Sequence, residues 1–144
     1  RTEDGYGEFH YHQYELRGMV KELLEKKLTG YHLSTGRTLA HYNNASQTSR
    51  CEKLGKRYDE DVLLVNENDA GDFTSERVIL KTPFGQSAPL TVKITDKVQP
   101  KTLFCTFHHA KSGINRLFGD RCDVFTMTAA FKSIKVEVVN LATE

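Results

Sequence analysis

Leu90-Thr91-Val92-Lys93-Ile94-Thr95 sets apolar Leu90, Val92 and Ile94 against polar Thr91, Lys93 and Thr95. A repeat of two is the side-chain period of a strand with one buried face. The same alternation returns at Ile134, Val136 and Val138, separated by Lys135 and Glu137. Val62-Leu63-Leu64-Val65, Val78-Ile79-Leu80 and residues 102–107 are short apolar runs between them or before them. Turn formers bound these runs at Gly71, Thr82-Pro83-Phe84-Gly85, Thr95-Asp96 and Pro100. Tyr31-His32-Leu33-Ser34 reads as a further short strand, which Thr35-Gly36 should break. Asn66-Glu67-Asn68-Asp69-Ala70 starts like a capped helical turn that Gly71 keeps short. Several short strands, punctuated by turns and with little helix, predict a closed barrel or a sandwich.

One stretch has a different period. Residues 13–28 place Leu16, Met19, Val20, Leu23, Leu24 and Leu28 at the three- and four-residue spacing of an amphipathic helix, which Thr29-Gly30 should end. Residues 1–12 are polar and aromatic and read as an extended arm. The chain therefore divides into a lead-in, 1–30, and a strand-rich domain, 31–144.

With 144 residues, one domain is the expectation. A formal net charge of +1 argues against general nucleic-acid binding, which needs a basic surplus to neutralise phosphates. No apolar run approaches the roughly 18 residues of a membrane span, so no direct membrane insertion is expected. Cys51, Cys105 and Cys122 form no CxxC and are odd in number, which argues against a disulfide framework or a zinc site. Cys105, between Phe104 and Thr106, reads as a buried small hydrophobe. His10-x-His12 offers only two metal ligands on the arm. The chain opens on Arg1 and reads as a piece of something longer, so its compartment, periplasmic or cytoplasmic, stays open.

Three places carry candidate chemistry. Residues 36–50 hold almost no large apolar group besides Leu39 and Tyr42, and long polar loops in compact chains are usually functional or disordered. In Ser34-Thr35-Gly36-Arg37-Thr38-Leu39-Ala40-His41-Tyr42-Asn43-Asn44, a glycine allows close backbone approach and Arg37 offers planar donors to phosphate. Asn43, Asn44, Ser46 and Thr48 add neutral donors and acceptors, a mixture suited to a heterocycle joined to a diphosphate. Phe107-His108-His109, with Asn115 beyond, sits at a strand tip that could face the same site. Phe131-Lys132 precedes the last strand. Asp59, Glu60 and Asp61 read as a solvated charge run. No GxGxxG, GxxxxGK[ST] or GxSxG is present.

Taken in order, these segments resemble the molybdopterin-dinucleotide-binding domain that closes the large subunit of the dimethyl-sulfoxide-reductase superfamily of molybdenum and tungsten enzymes. Ser34-Thr35-Gly36-Arg37, His41-Tyr42 and Ser46-Gln47-Thr48-Ser49-Arg50 resemble its signature loop. Val65 to Ala70, Val92 to Asp96, Leu103 to His108, Asn115 and Phe131-Lys132 follow in the family's sequence, and Asp4-Gly5-Tyr6-Gly7-Glu8-Phe9 resembles its introduction. The resemblance is nearest to formate dehydrogenase alpha subunits, on His41-Tyr42-Asn43-Asn44 and Phe107-His108; nitrate reductases share much of it. Thr74-Ser75-Glu76-Arg77 and Ala129-Ala130 depart from the family's Gly-Asp and Pro-Glu steps.

The resemblance implies a mainly β fold: a six-stranded double-psi β-barrel with an N-terminal helix and short helical turns. It implies binding of bis(molybdopterin guanine dinucleotide), with molybdenum or tungsten, by Thr35, Gly36, Arg37, His41, Tyr42, Asn43, Asn44, Phe107, His108, Asn115 and Lys132. The function implied is two-electron oxidation of formate to carbon dioxide in the whole subunit. The metal ligand and an iron–sulfur cluster lie, in that family, outside the part seen here, so the chain alone is expected to be inactive. Its implied partners are the remaining domains of the subunit and electron-transfer subunits. The alternatives are the same domain in a nitrate reductase or another family member, or a non-enzymatic double-psi barrel that docks a partner.

Overall fold

The computed structural model describes residues 30–119, 125–128 and 133–142. The expected arm, the helix over 13–28, Cys122 and Phe131-Lys132 lie outside the described residues.

The strands are β1 (Tyr31–Gly36), β2 (Val62–Asn66), β3 (Arg77–Thr82), β4 (Gly85–Gln86), β5 (Leu90–Thr95), β6 (Thr102–Thr106) and β7 (Ile134–Asn140). Their order in the sheet is β4-β3-β5-β2-β6-β1-β7, and a further pairing of β3 with β7 closes six of them into a barrel. β4 is only a short hairpin partner of β3, turned at the expected Thr82-Pro83-Phe84-Gly85. Closure removes the open sheet edges that otherwise invite aggregation. Two pairs, β1 with β6 and β2 with β5, are parallel. Parallel neighbours need long crossovers, and those crossovers make the topology a double-psi barrel rather than a meander.

Alternation decides which side chains fill it. Leu33, Leu63, Val65, Val78, Leu80, Leu103 and Cys105 are wholly buried. Ile114, Leu117 and Phe118 plug the space from the segment after β6. Burial pushes the Cys105 thiol well above its ordinary range, as expected of an inert core cysteine. In β5 the pattern fades along the strand: Leu90 is buried, Val92 only partly, and Ile94 is exposed.

Two details differ from the sequence reading. β1 does not break at Thr35-Gly36; both residues pair with Cys105 and Thr106 of β6. A side chain at Gly36 would lie 2.6 Å from the Phe104 ring, so the glycine is what lets that ring cover the strand. Just beyond the polar stretch lies a short helix, α1 (Glu52–Arg57), with no buried residue. Without an apolar stripe it left no periodic signal. The turn at Glu67–Asp72 forms as expected, with the Asn66 side chain accepting the Asn68 N–H at 2.9 Å.

Strand register determines what meets at each end. β2 runs antiparallel to β6, with Leu63 opposite Cys105. β1 and β6 finish together, with Gly36 opposite Thr106. The exits of β1 and β6 and the entry to β2 therefore share one end of the barrel. The entries to β1 and β6 and the exit of β2 share the other.

Candidate functional site

At the first end, the β1 exit loop, the residues after β6 and the segment before β2 are joined by side chains. His108 is buried, and both its ring nitrogens are engaged. Nε2 accepts the Thr38 backbone N–H at 2.9 Å, so the ring proton sits on Nδ1 and is donated to the Asn43 carbonyl. One imidazole thus fixes two points of the loop. His41, also buried, donates Nε2–H to the Tyr58 carbonyl at 2.8 Å, and its Nδ1 pairs with the Thr48 hydroxyl at 2.8 Å. His109 donates Nε2–H to the same Tyr58 carbonyl at 3.0 Å. The His41 ring lies 5.3 Å from that of His108 and 5.6 Å from that of His109, edge to face. These bonds make the three histidines a scaffold. Among the described residues, no group of three or more His, Cys, Asp or Glu side chains is placed to hold a metal ion.

Beneath the histidines sits Asp61, only 3% exposed. Its Oδ1 accepts the Thr106 hydroxyl at 2.6 Å and the His108 N–H at 2.9 Å. Its Oδ2 accepts the His109 N–H at 3.0 Å and the Ser112 hydroxyl at 2.7 Å. The expectation that Asp59, Glu60 and Asp61 form a solvated run is therefore corrected at Asp61, while Asp59 and Glu60 are exposed. A carboxylate with four donors around it is tolerated in the interior because its lone pairs are satisfied.

The loop itself faces outward. Arg37 is exposed and gives one N–H, from Nη1, to Asn43 Oδ1 at 2.9 Å; its other guanidinium donors have no partner among the described residues. Asn43 adopts φ 48° and Ala45 φ 58°, left-handed backbone that asparagine tolerates better than alanine. Leu39 and Tyr42 are exposed although apolar in whole or part. Asn44 is exposed, and its Oδ1 accepts the Ser46 N–H at 3.3 Å. The loop closes onto α1, where a side chain at Gly55 would strike the Ser49 carbonyl at 2.7 Å.

The predicted residues fall into three groups. Arg37, His41, Tyr42, Asn43, Asn44 and His108 come together on or under the loop. Thr35 and Gly36 belong to the buried end of β1 and support the loop from behind, and Phe107 packs partly against the core. Asn115 lies on the 3-10 turn Ile114–Leu117, which packs against β4. Its side chain is exposed and bonds to no described residue of the loop. Lys132 lies outside the described residues. Sequence reasoning missed Tyr58, whose contribution is a backbone carbonyl, and Asp61, hidden in an acidic run.

A cleft of about 290 Å³ opens beside the histidines, lined by Thr38, His41, Tyr58, Val62, Phe104 and His109 among others. A larger cavity, about 840 Å³, runs along β7 and the β3–β4 hairpin beside Phe84 and Ile134, away from the loop. The larger groove is lined by Lys81, Thr82, Lys135 and Glu137 as well as by apolar groups, but by none of the site residues that the sequence singled out.

The class defined by this architecture is a closed double-psi barrel that presents, from the end of β1, a polar loop carrying Arg37, Asn43 and Asn44. Residues 31–135 match the model of the family described as the Molydopterin dinucleotide binding domain, and the chain belongs to that family. It is 28% identical over 112 residues to the F420-dependent formate dehydrogenase 2 subunit alpha of Methanococcus maripaludis, covering 74% of this chain and 16% of that protein. It is 26% identical to the F420-dependent formate dehydrogenase subunit alpha of Methanocaldococcus jannaschii, covering 83% of this chain and 18% of that one. The assimilatory nitrate reductase catalytic subunit of Bacillus subtilis is 28% identical over 121 residues, covering 80% of this chain and 17% of that protein. Acetylene hydratase from Pelobacter acetylenicus shares the fold, with a TM-score of 0.62 and 15% identity over 92% of this chain and 21% of that one. The chain thus spans less than a fifth of the length of these curated relatives. No described helix is long and apolar enough to cross a membrane.

Proposed function

We propose that this chain holds the guanine dinucleotide end of a bis(molybdopterin guanine dinucleotide) cofactor, as the cofactor-binding domain of a formate-oxidising molybdenum or tungsten enzyme. The observation that carries the reading is the loop Arg37–Asn44. It is pinned from below by His108 and His41, yet among the described residues it commits only one Arg37 guanidinium N–H, to Asn43, and leaves the others available. An anionic diphosphate needs such donors, and a purine edge needs paired amide groups like those of the exposed Asn43 and Asn44. The donor set therefore fits the group.

The neighbouring cleft, at about 290 Å³, falls below the roughly 300–1,000 Å³ of pockets that enclose a drug-sized ligand. The outer face of the loop would add to the contact that the cleft offers. In this reading Arg37 would pair with a phosphate oxygen and Asn43 and Asn44 would orient polar ring substituents, with Lys132, which lies outside the described residues, proposed from the sequence alone as a second cation. Exposed Leu39 and Tyr42 exclude water where another part of the subunit closes over the loop. When bound with its metal, the cofactor supplies a two-electron redox centre for converting formate to carbon dioxide, a proton and two electrons. An iron–sulfur cluster elsewhere in the subunit and separate electron-transfer subunits would carry the electrons away. The domain contributes placement and electrostatics.

The likeness to two formate dehydrogenase alpha subunits supports formate. The likeness to an assimilatory nitrate reductase supports nitrate reduction as the second reading. The deciding experiment purifies the full-length polypeptide, assays released pterin, and measures formate-driven dye reduction beside nitrate reduction with reduced dye. Pterin with formate activity is the expected result. Pterin with nitrate activity alone would transfer the domain to the second reading. A folded protein with neither pterin nor activity would leave a barrel that docks a partner.

A further inference from the structure

We propose that Asp61 is a positioning residue that presets the cofactor loop, acting through the backbone of His108 and the His108 ring. This rests on the reading that the loop Arg37–Asn44 carries the cofactor. Asp61 touches no residue of that loop. It holds the turn after β6 through four bonds: the Thr106 and Ser112 hydroxyls and the His108 and His109 N–H groups. Fixing the His108 backbone orients the His108 ring, and that ring grips the loop at the Thr38 N–H and the Asn43 carbonyl. The chain of contact runs from the start of β2, through the exit of β6, to the exit of β1. All three are rigid barrel positions, so the loop inherits their geometry.

The chemistry calls for a carboxylate. All four partners donate, and a carboxylate accepts at both oxygens. An amide would turn its NH2 group toward one pair of donors, setting N–H against N–H or against a hydroxyl that must reverse. Asn43 and Ala45 make presetting consequential. Their left-handed φ values, 48° and 58°, are ones that a free loop of L-residues rarely adopts, so the loop needs an external hold. A loop ordered before the ligand arrives loses less conformational freedom on binding, which raises affinity without adding a contact.

The test uses the full-length polypeptide with Asp61→Asn, Ser112→Ala and Arg37→Ala. Two readouts are taken: amide hydrogen exchange by peptide, in protein prepared without cofactor, and pterin content after loading. For Asp61→Asn we expect peptides covering 37–44 to exchange about tenfold faster, while those covering β2, β5 and β6 keep their protection. Pterin content should fall, with turnover per bound pterin unchanged. Ser112→Ala, which removes one of the four donors to Asp61 together with that hydroxyl's bond to the His109 carbonyl within the same turn, should show the same pattern at about threefold. It decides the matter if Asp61→Asn does not fold. Unchanged loop exchange, or an equal loss of protection in strands and loop, would overturn the proposal. Arg37→Ala separates it from the functional reading. If that variant keeps full pterin content, the cofactor assignment fails, while the exchange data still decide whether Asp61 presets the loop.

Discussion

The two ends of the barrel each bury an aspartate, and each aspartate organises a loop by different means. At the end where β1 and β6 finish, Asp61 is satisfied by four neutral donors, and no ion pair reaches it among the described residues. At the opposite end, Asp69 accepts the Lys101 N–H at 2.6 Å and stands 3.2 Å from the Lys101 ammonium. That ammonium also meets Asp72 at 2.9 Å and the Tyr31 hydroxyl at 3.2 Å, and lies over the Tyr31 ring. The second end is a closed circuit in which the cation is fully committed to its own neighbours. The first end uses neutral bonds for support and leaves the Arg37 guanidinium donors turned outward. Similar polar content thus makes a strut at one end and, at the other, a supported loop on which the proposed cofactor site rests.

The sharpest way to break this comparison is to delete both aspartates in turn. Asp61→Ala leaves the Thr106 hydroxyl and two backbone N–H groups without an acceptor, while the Ser112 hydroxyl keeps the His109 carbonyl at 2.8 Å, and should destabilise by ~3–4 kcal/mol. Asp69→Ala strands one backbone N–H, beside a lysine that water already reaches, and should cost ~1–2 kcal/mol. Urea unfolding of both variants checks the order, and equal losses would erase the distinction. Next, Arg37→Ala should lower pterin content about tenfold while shifting stability by less than ~0.5 kcal/mol, because no described bond of the core depends on it.

A smaller effect reports on the strut. Burial, followed by the hydrogen bond to Asp72, pushes the Tyr31 hydroxyl up to about 12. Its folded value lies above the ordinary value of 10.0. The stability it confers is therefore complete below pH 10 and is lost as pH rises through about 12. Hydrogen bonds from Tyr31 and Lys101 lower Asp72, so its contribution is present above the usual carboxylate range and disappears in acid. Denaturation midpoints from pH 9 upward should fall more steeply for the native chain than for Tyr31→Phe, and parallel curves would refute the assignment. The smallest expected change is Gly36→Ala, about 1 kcal/mol as the Phe104 ring is displaced. Phe104→Leu in the same chain should recover part of it, as thermal unfolding would register.

How far these ends were legible depends on the kind of signal each residue emits. Leu90-Thr91-Val92-Lys93 announces a strand because burial on one face writes a period of two into the sequence. Asn66 announces its turn because its side chain caps the N–H two residues on. Arg37, His41 and Asn43 stood out because such residues cluster in a loop with few large apolar groups. Asp61 was unreadable: between Glu60 and Val62 nothing distinguishes a buried carboxylate from a solvated one, since its donors come from residues 45 to 51 positions away. Helix α1 was unreadable because it buries nothing. The extent of β1 was misjudged because glycine usually ends a strand, and only the Phe104 ring lying over Gly36 reverses that expectation.

By itself, the amino-acid sequence determined that this is a strand-rich domain with a polar loop after its first strand, because alternation and turn formers are local properties of the chain. It also carried the ordered motifs that mark the family. Only the tertiary structure decided that β1 and β6 run parallel, so that Thr38, Asn43, His108 and Asp61 meet across gaps of 47 to 70 residues. A hydrogen-bond partner that distant is chosen by barrel closure and register, neither of which any local stretch encodes.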